Sequence, residues 1–253
     1  MGQPVPAQVV NVNGGVDLVN PADLIAGKTL QQWQRDAATG RYINIQNAVF
    51  YDTATVVAGT ALTQGTTKTL FAKGKSEDDV VWNTGTAIPQ KGEFMTNMIT
   101  GGQFEGGTSF IMEQICVTVR LTESIAATYG TRGEITAPNY TASAVISMSN
   151  NLQAFTENIE LQYLRNETVM LRGLLEQFPS PFGYSGAVGN TGSGFVQNGY
   201  NQTFNFLFRP VLLQTDDLFN FVLNPVVATF TPTMTAKIRV TLIGKKISSL
   251  IQG

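Results

Sequence analysis

The chain has 253 residues, a length that suits one large all-β domain or two small ones. Hydrophobic residues make up 43 % and charged residues only 13 %, against roughly a quarter charged in an ordinary soluble domain, so the surface must be built from Thr, Asn, Gln, Ser and Gly. A net charge of −2 with no basic run excludes the usual electrostatic footprint of a nucleic-acid binder.

Residues 1–20 are rich in Val, Asn, Pro and Gly and read as an extended arm. The N-terminus has neither a basic leader nor a continuous apolar run, so no secretory signal is expected. Asn20-Pro21-Ala22-Asp23 supplies a cap, a proline at the first helical position and an acid in the first turn. A short helical segment is therefore predicted over 23–38, ended by Gly40. From Arg41 the period changes to two. Tyr42, Ile43, Ile45, Val49, Phe50 and Tyr51 open a β-rich run, and 66–73 is a short strand between Gly65 and Gly74. The clearest strand is 110–122, where Ile115, Val117, Val119 and Leu121 alternate with Gln114, Cys116, Thr118 and Arg120.

Ile159, Leu161 and Tyr163, the polar Arg165-Asn166-Glu167, then 169–175 make a hairpin signature. Phe204, Phe206 and Phe208 alternate with polar or mixed residues, as do Phe219 and Phe221 in 218–223. Ala236, Ile238, Val240 and Leu242 form a closing strand expected to stop at Gly244. Long, charge-poor loops are predicted at 124–149 and 179–201 and assigned to interaction surfaces. The domain plan is thus 1–40 as arm and short helix, and 41–253 as one all-β domain. Nine or ten strands joined by long crossings suit an eight-stranded jelly roll with Greek-key connections. A double jelly roll, the alternative, would need about sixteen strands.

Chemistry is sparse. With no His in the chain, the commonest general base and metal ligand is missing, and Ser-His-Asp and Cys-His arrangements are impossible. Cys116, the only cysteine, sits in a strand-like run and reads as a packed side chain. The acid clusters Glu77-Asp78-Asp79 and Asp216-Asp217 read as solvated turns, with a weak calcium site or glycosidase-type catalysis as lesser readings. Residues 101–107 (Gly-Gly-Gln-Phe-Glu-Gly-Gly) lack the Lys-Ser/Thr of a phosphate loop and read as a turn. Lys237, Arg239, Lys245 and Lys246 read as a solvated strand face. The sequons at Asn139, Asn166 and Asn201 read as chance matches. Trp33, Trp82 and the Tyr residues are the candidates for stacking on a sugar ring, Trp82 the better because of the acidic turn beside it, although a packed strand Trp is favoured. No catalytic, cofactor-binding or metal-binding residue is assigned, and the chain is expected not to be an enzyme.

Three stretches resemble the vertical jelly-roll major capsid proteins of tailless, often lipid-containing icosahedral phages and viruses. They are 94–119, with Phe94-Met95-Thr96-Asn97-Met98-Ile99 leading through glycines into the long strand; 208–223, with Phe208-Arg209-Pro210 and Asp216-Asp217 before a Phe-rich strand; and the closing strand 237–244. The resemblance spans about 90–250 as a pattern of strand types. It implies a structural coat protein of the virion, soluble in the host cytoplasm before assembly, whose partners are its own copies (a homotrimer or pseudo-hexameric capsomer) and other capsid proteins. It further implies contact with an internal membrane through the N-terminal segment. No cofactor and no specific nucleic-acid binding are expected. The alternative is a carbohydrate- or receptor-binding jelly-roll module, a lectin or viral spike.

Overall fold

The computed structural model describes residues 8–12, 15–19, 42–122, 142–178 and 210–250. The helix predicted over 23–38, Trp33, the strand at 204–208, the loop at 179–201, Asn139 and Asn201 lie outside these.

The described chain is mostly antiparallel β-strand. In order it forms β1 (Gln8–Val12), β2 (Gly15–Val19), β3 (Tyr42–Val56), β4 (Leu62–Thr63), β5 (Lys68–Leu70), β6 (Asp79–Val80), β7 (Ala87–Ile88) and β8 (Thr108–Thr122). Helix α1 (Ala142–Asn158) follows, then β9 (Ile159–Arg165), β10 (Thr168–Leu174), β11 (Val211–Leu213), β12 (Phe219–Pro225), β13 (Thr229–Phe230) and β14 (Thr235–Leu250).

Eight of these strands build two four-stranded sheets, ordered β11-β8-β14-β3 and β10-β9-β12-β5. Counted in chain order, the first strand of the eight (β3) pairs with the last (β14), the second (β5) with the seventh (β12), the third (β8) with the sixth (β11) and the fourth (β9) with the fifth (β10). Every pairing is antiparallel. The period-two pattern explains which face goes inward. Ala54 and Val56 on β3, Ile115, Val117 and Val119 on β8, and Ala236, Ile238, Val240 and Leu242 on β14 join one core with Leu161, Tyr163, Phe219, Phe221 and Leu223 from the other sheet. An aromatic seam ties the sheets together. Phe50 lies 4.9 Å from Phe104 and 5.0 Å from Phe110, Phe104 stacks 5.2 Å from Phe219, and Tyr163 stacks 5.1 Å from Phe221. Each such pair contributes about 0.5–1.5 kcal/mol beyond the area it buries.

The connections sort to two ends. At one, the turns at 98–107, 165–168 and 214–218 meet: Phe219 N donates to Gly102 O, Asn166 N to Leu218 O, and Thr215 Oγ1 to Thr108 O. At the other, Gly59 N donates to Pro232 O, Val226 N to Asn158 O, and Asn151 Nδ2 to Thr233 Oγ1. Residues 74–98 leave β5 and return along the edge of β3, where Thr96 bridges to Asp52 and Trp82 N donates to Thr55 O. That excursion covers a sheet edge which would otherwise offer unpaired backbone groups to another chain.

Three expectations are corrected. The segment read as a loop over 124–149 becomes helical at Ala142, because Leu152 and Phe155, three residues apart on one helix face, and Ile159 just beyond it reach the core. The closing strand does not stop at Gly244 but runs to Leu250. At Gly244 the ladder slips: Ile243 faces Gln114 and Gly244 faces Met112, leaving Glu113 as the extra residue of a bulge. The missing side chain is required there, since a Cβ would sit 1.8 Å from Ile111 O. The arm at 1–20 contains the paired strands β1 and β2 rather than extended chain alone.

Candidate functional site

Each side chain that the sequence singled out for chemistry has a definite place. Asp79 is not a solvated turn acid. Its Oδ1 accepts from Lys68 Nζ at 2.5 Å and from Val80 N at 2.8 Å, while Lys91 Nζ stands 3.3 Å from Oδ2. Lys91 Nζ also lies 2.6 Å from Asp52 Oδ1, and Asp52 Oδ2 accepts from Phe71 N at 2.6 Å. Asp52, Lys91, Asp79 and Lys68 thus form a buried row of alternating charge, joining β3, β5 and the 74–98 excursion. The bond to Asp52 also holds Phe71 at a φ of 64°, an uncommon angle for a bulky residue, where the chain turns out of β5. Burial pushes the Asp52 carboxyl above its ordinary range, and Lys91 with the N–H groups of Phe71 and Thr53 pulls it back only in part. Burial also acts on Asp79, but there the bonds from Lys68 and Val80 and the charge of Lys91 win, and its carboxyl lies below the ordinary value.

Asp217 is likewise buried, at 8 % exposure, and not solvated. Arg165 grips it with two donors, Nε at 3.1 Å and Nη2 at 2.6 Å, and Gln214 N donates at 2.7 Å. Asn166 Nδ2 reaches it at 3.4 Å while Leu218 N donates to Asn166 Oδ1 at 3.0 Å. One carboxylate therefore locks the 165–168 turn to the 214–218 turn. Burial works against this charge, yet the donors outweigh it and hold the Asp217 carboxyl below its ordinary range. The Asn166 amide, part of a sequon, is spent on this clamp.

The remaining candidates resolve simply. Glu77 is half-buried; Asp78 and Asp216 are exposed, Asp78 accepting from Gln90 N at 3.1 Å. Trp82, the favoured sugar-stacking residue, is 1 % exposed with its indole N–H on Thr66 O, so its ring faces the core. Cys116 is buried and its thiol is pushed up to about 12 by burial, which suits packing and not nucleophilic attack. In the 101–107 run, Gly102 has a φ of 70° and its carbonyl takes the Phe219 N–H, so the run serves as a packed turn. Lys245 is paired with Glu113 at 3.5 Å. Among the described residues no group of three acids or cysteines is placed to hold a metal ion, and no helix is long and apolar enough to cross a membrane.

Sequence reasoning missed two surface features. Val169, Met170 and Leu218 are 47 %, 55 % and 51 % exposed around the Asn166 turn, an apolar tip beside the Arg165–Asp217 clamp. The outer face of the β3 sheet gathers Arg120, Lys237 and Arg239 on adjacent positions. The signal for the second was the outward parity of β8 and β14, once their register was known.

Comparison of the chain with family models, curated proteins and solved structures gave no match.

Proposed function

We propose that the chain is a jelly roll that serves as a structural coat protein, its copies assembling into the capsomers of an icosahedral virion. The observation that carries this reading is the pairing of first strand with eighth, second with seventh, third with sixth and fourth with fifth. One long antiparallel hairpin rolled around a core produces that pairing, and two Greek keys wound together have it. The described residues supply a single set of eight such strands, which favours one barrel over two.

The role follows from what the surface offers. A face poor in charge has little repulsion to keep copies apart, and the exposed Val169, Met170 and Leu218 give a tip able to lose water against a neighbour. Of the acids weighed for catalysis in a rival enzyme, Asp79 and Asp217 are tied up by Lys68, Lys91 and Arg165. Trp82, the better of the two Trp candidates for stacking on a sugar ring, is not open. A homotrimer or pseudo-hexamer, joined by other capsid proteins, with the N-terminal segment toward an internal membrane, completes the proposal.

Light scattering and negative-stain imaging of the purified protein across concentration and salt test it. Discrete trimers growing into shells or sheets are expected. A monomer or small closed oligomer that persists at high concentration would overturn the assembly role.

A further inference from the structure

The geometry points to a binding site for a single phosphate group on the outer face of the β3 sheet, formed by Arg120, Lys237 and Arg239. Nothing in the coat-protein proposal requires it.

The register makes the cluster. Lys237 on β14 is directly opposite Arg120 on β8, and Arg239 follows two residues along β14 on the same face. Opposed side chains start about 4.5–5.5 Å apart at Cβ, and next-but-one residues on a strand about 7 Å apart. Lys237 and Arg120 can therefore converge on one tetrahedral group, with Arg239, which leans toward Thr53 and Phe94, flanking it. Like charges placed opposite one another cost stability, and among the described residues no carboxylate is ion-paired with any of the three. Among the described residues every salt bridge involves other cations: Lys68, Lys75, Lys91, Arg165 and Lys245. Asp52, the acid whose charge Arg239 feels, is already held by Lys91.

Two further observations bear on this face. Thr55 and Thr241 are only 4 % and 2 % exposed, and their hydroxyls have no hydrogen-bond partner. Thr55 faces Lys237 across the ladder, and Thr241 follows Arg239 along β14. Arg239 is also held in place: its Nε donates to Thr53 Oγ1 at 3.2 Å, its Nη2 donates to Phe94 O, and its guanidinium carbon lies 4.5 Å from the Tyr51 ring centroid. A guanidinium has five N–H donors, so most remain for a ligand.

The lowered Lys237 agrees with this crowding. Burial is the larger cause, and the charges of Arg239 and Arg120 add to it. Arg239 is lowered by burial first and then by Arg120.

Two arginines and a lysine match a phosphate group, with its several oxygens, better than a lone carboxylate, because the guanidinium fork pairs with two oxygens at once. Three cations are too few for a nucleic-acid track, where about 6–10 phosphates are neutralised. The group is thus a free phosphate or one carried on a lipid headgroup.

Calorimetric titration of the full chain with inorganic phosphate at low ionic strength tests the site, with phosphatidylglycerol and phosphatidylcholine vesicles in a parallel sedimentation assay. Saturable phosphate binding is expected, weakened at least tenfold in the double variant R120Q/K237Q and unchanged in K73Q, which removes an exposed charge elsewhere. Circular dichroism of the variants confirms that each is folded. Co-sedimentation with phosphatidylglycerol alone, lost in the double variant, assigns the phosphate to a lipid; phosphate binding without sedimentation assigns it to a free ion. Absence of saturable binding by the native chain, or an equal loss in K73Q, overturns the site. So does tight, steeply salt-dependent binding of a single-stranded oligonucleotide that outcompetes phosphate, which would mean a polyanion track.

Discussion

Lys91 Nζ lies 2.6 Å from Asp52 Oδ1 with both side chains closed to solvent, at 1 % and 0 % exposure. Neither charge can be rehydrated if the other is removed. Lys91→Met should therefore destabilise the protein by about 3–5 kcal/mol, the cost of an unpaired buried charge. Adding Asp52→Asn should recover a good part, since the amide oxygen can still accept from Phe71 N. Urea denaturation of the two single variants and the double variant measures this coupling. A cost below about 1 kcal/mol for Lys91→Met would mean that the pair is not formed in solution.

The Asp217 clamp sets part of the acid limit. Its carboxyl lies below the ordinary value of 3.8 in the folded chain, so the ionised form is the one folding prefers. Its contribution is complete above 3.8 and is lost as pH falls through the lower folded value. Asp217→Asn should be less stable than the native chain at pH 7, with the gap closing as the solution is acidified below pH 4. Thermal melts from pH 7 to pH 2 give the comparison; a gap that stays constant would show that the clamp does not titrate.

Gly244 admits no side chain. A Cβ would lie 1.8 Å from Ile111 O and 3.0 Å from the Phe110 ring, both on the neighbouring strand. Gly244→Ala must push β8 away from β14 at the bulge, and a loss of about 3 kcal/mol is expected. A denaturation midpoint within error of the native one would place the bulge elsewhere.

The β9–β10 turn offers the opposite result. Asn166 and Glu167 have φ of 47° and 65°, the paired positive angles of a tight hairpin whose preferred sequence is Asn-Gly. Glu167 carries the left-handed strain that glycine avoids, roughly 1 kcal/mol for an L residue. Glu167→Gly should raise stability by about 0.5–1 kcal/mol, read as a higher melting temperature. A lowered one would show that the Glu side chain contributes more than the strain removes.

Strands whose outward positions are polar were legible in the chain itself. Ile115 to Leu121, Ile159 to Tyr163 and Ala236 to Leu242 alternate strictly, because one face meets the core and the other does not. Helix α1 was hidden, since it has no acid in its first turn and no base in its last, and its stretch is rich in Ser and Asn. The spacing of Leu152, Phe155 and Ile159 was its faint signal. The β1–β2 hairpin was announced only by Asn13-Gly14 between two apolar runs. Asp79 and Asp217 were misjudged as solvated because their partners, Lys68, Lys91 and Arg165, are fixed by strand register and not by neighbouring sequence. For the same reason the Arg120–Lys237–Arg239 cluster is invisible until β8 and β14 are set side by side.

The position of β14 bears on how the protein is made. It lies between β3 and β8, and its ladder with β3 covers 15 positions, yet it is the last of these strands to leave the ribosome. Until then β3 and β8 are neighbours with a gap between them, each showing an open edge that a second nascent chain could fill. Loop closure over most of the chain length must precede the largest gain in contacts, so folding is slow by topology. Native folding and edge-to-edge mispairing would thus compete during synthesis, with the outcome set by how quickly the final strand is inserted.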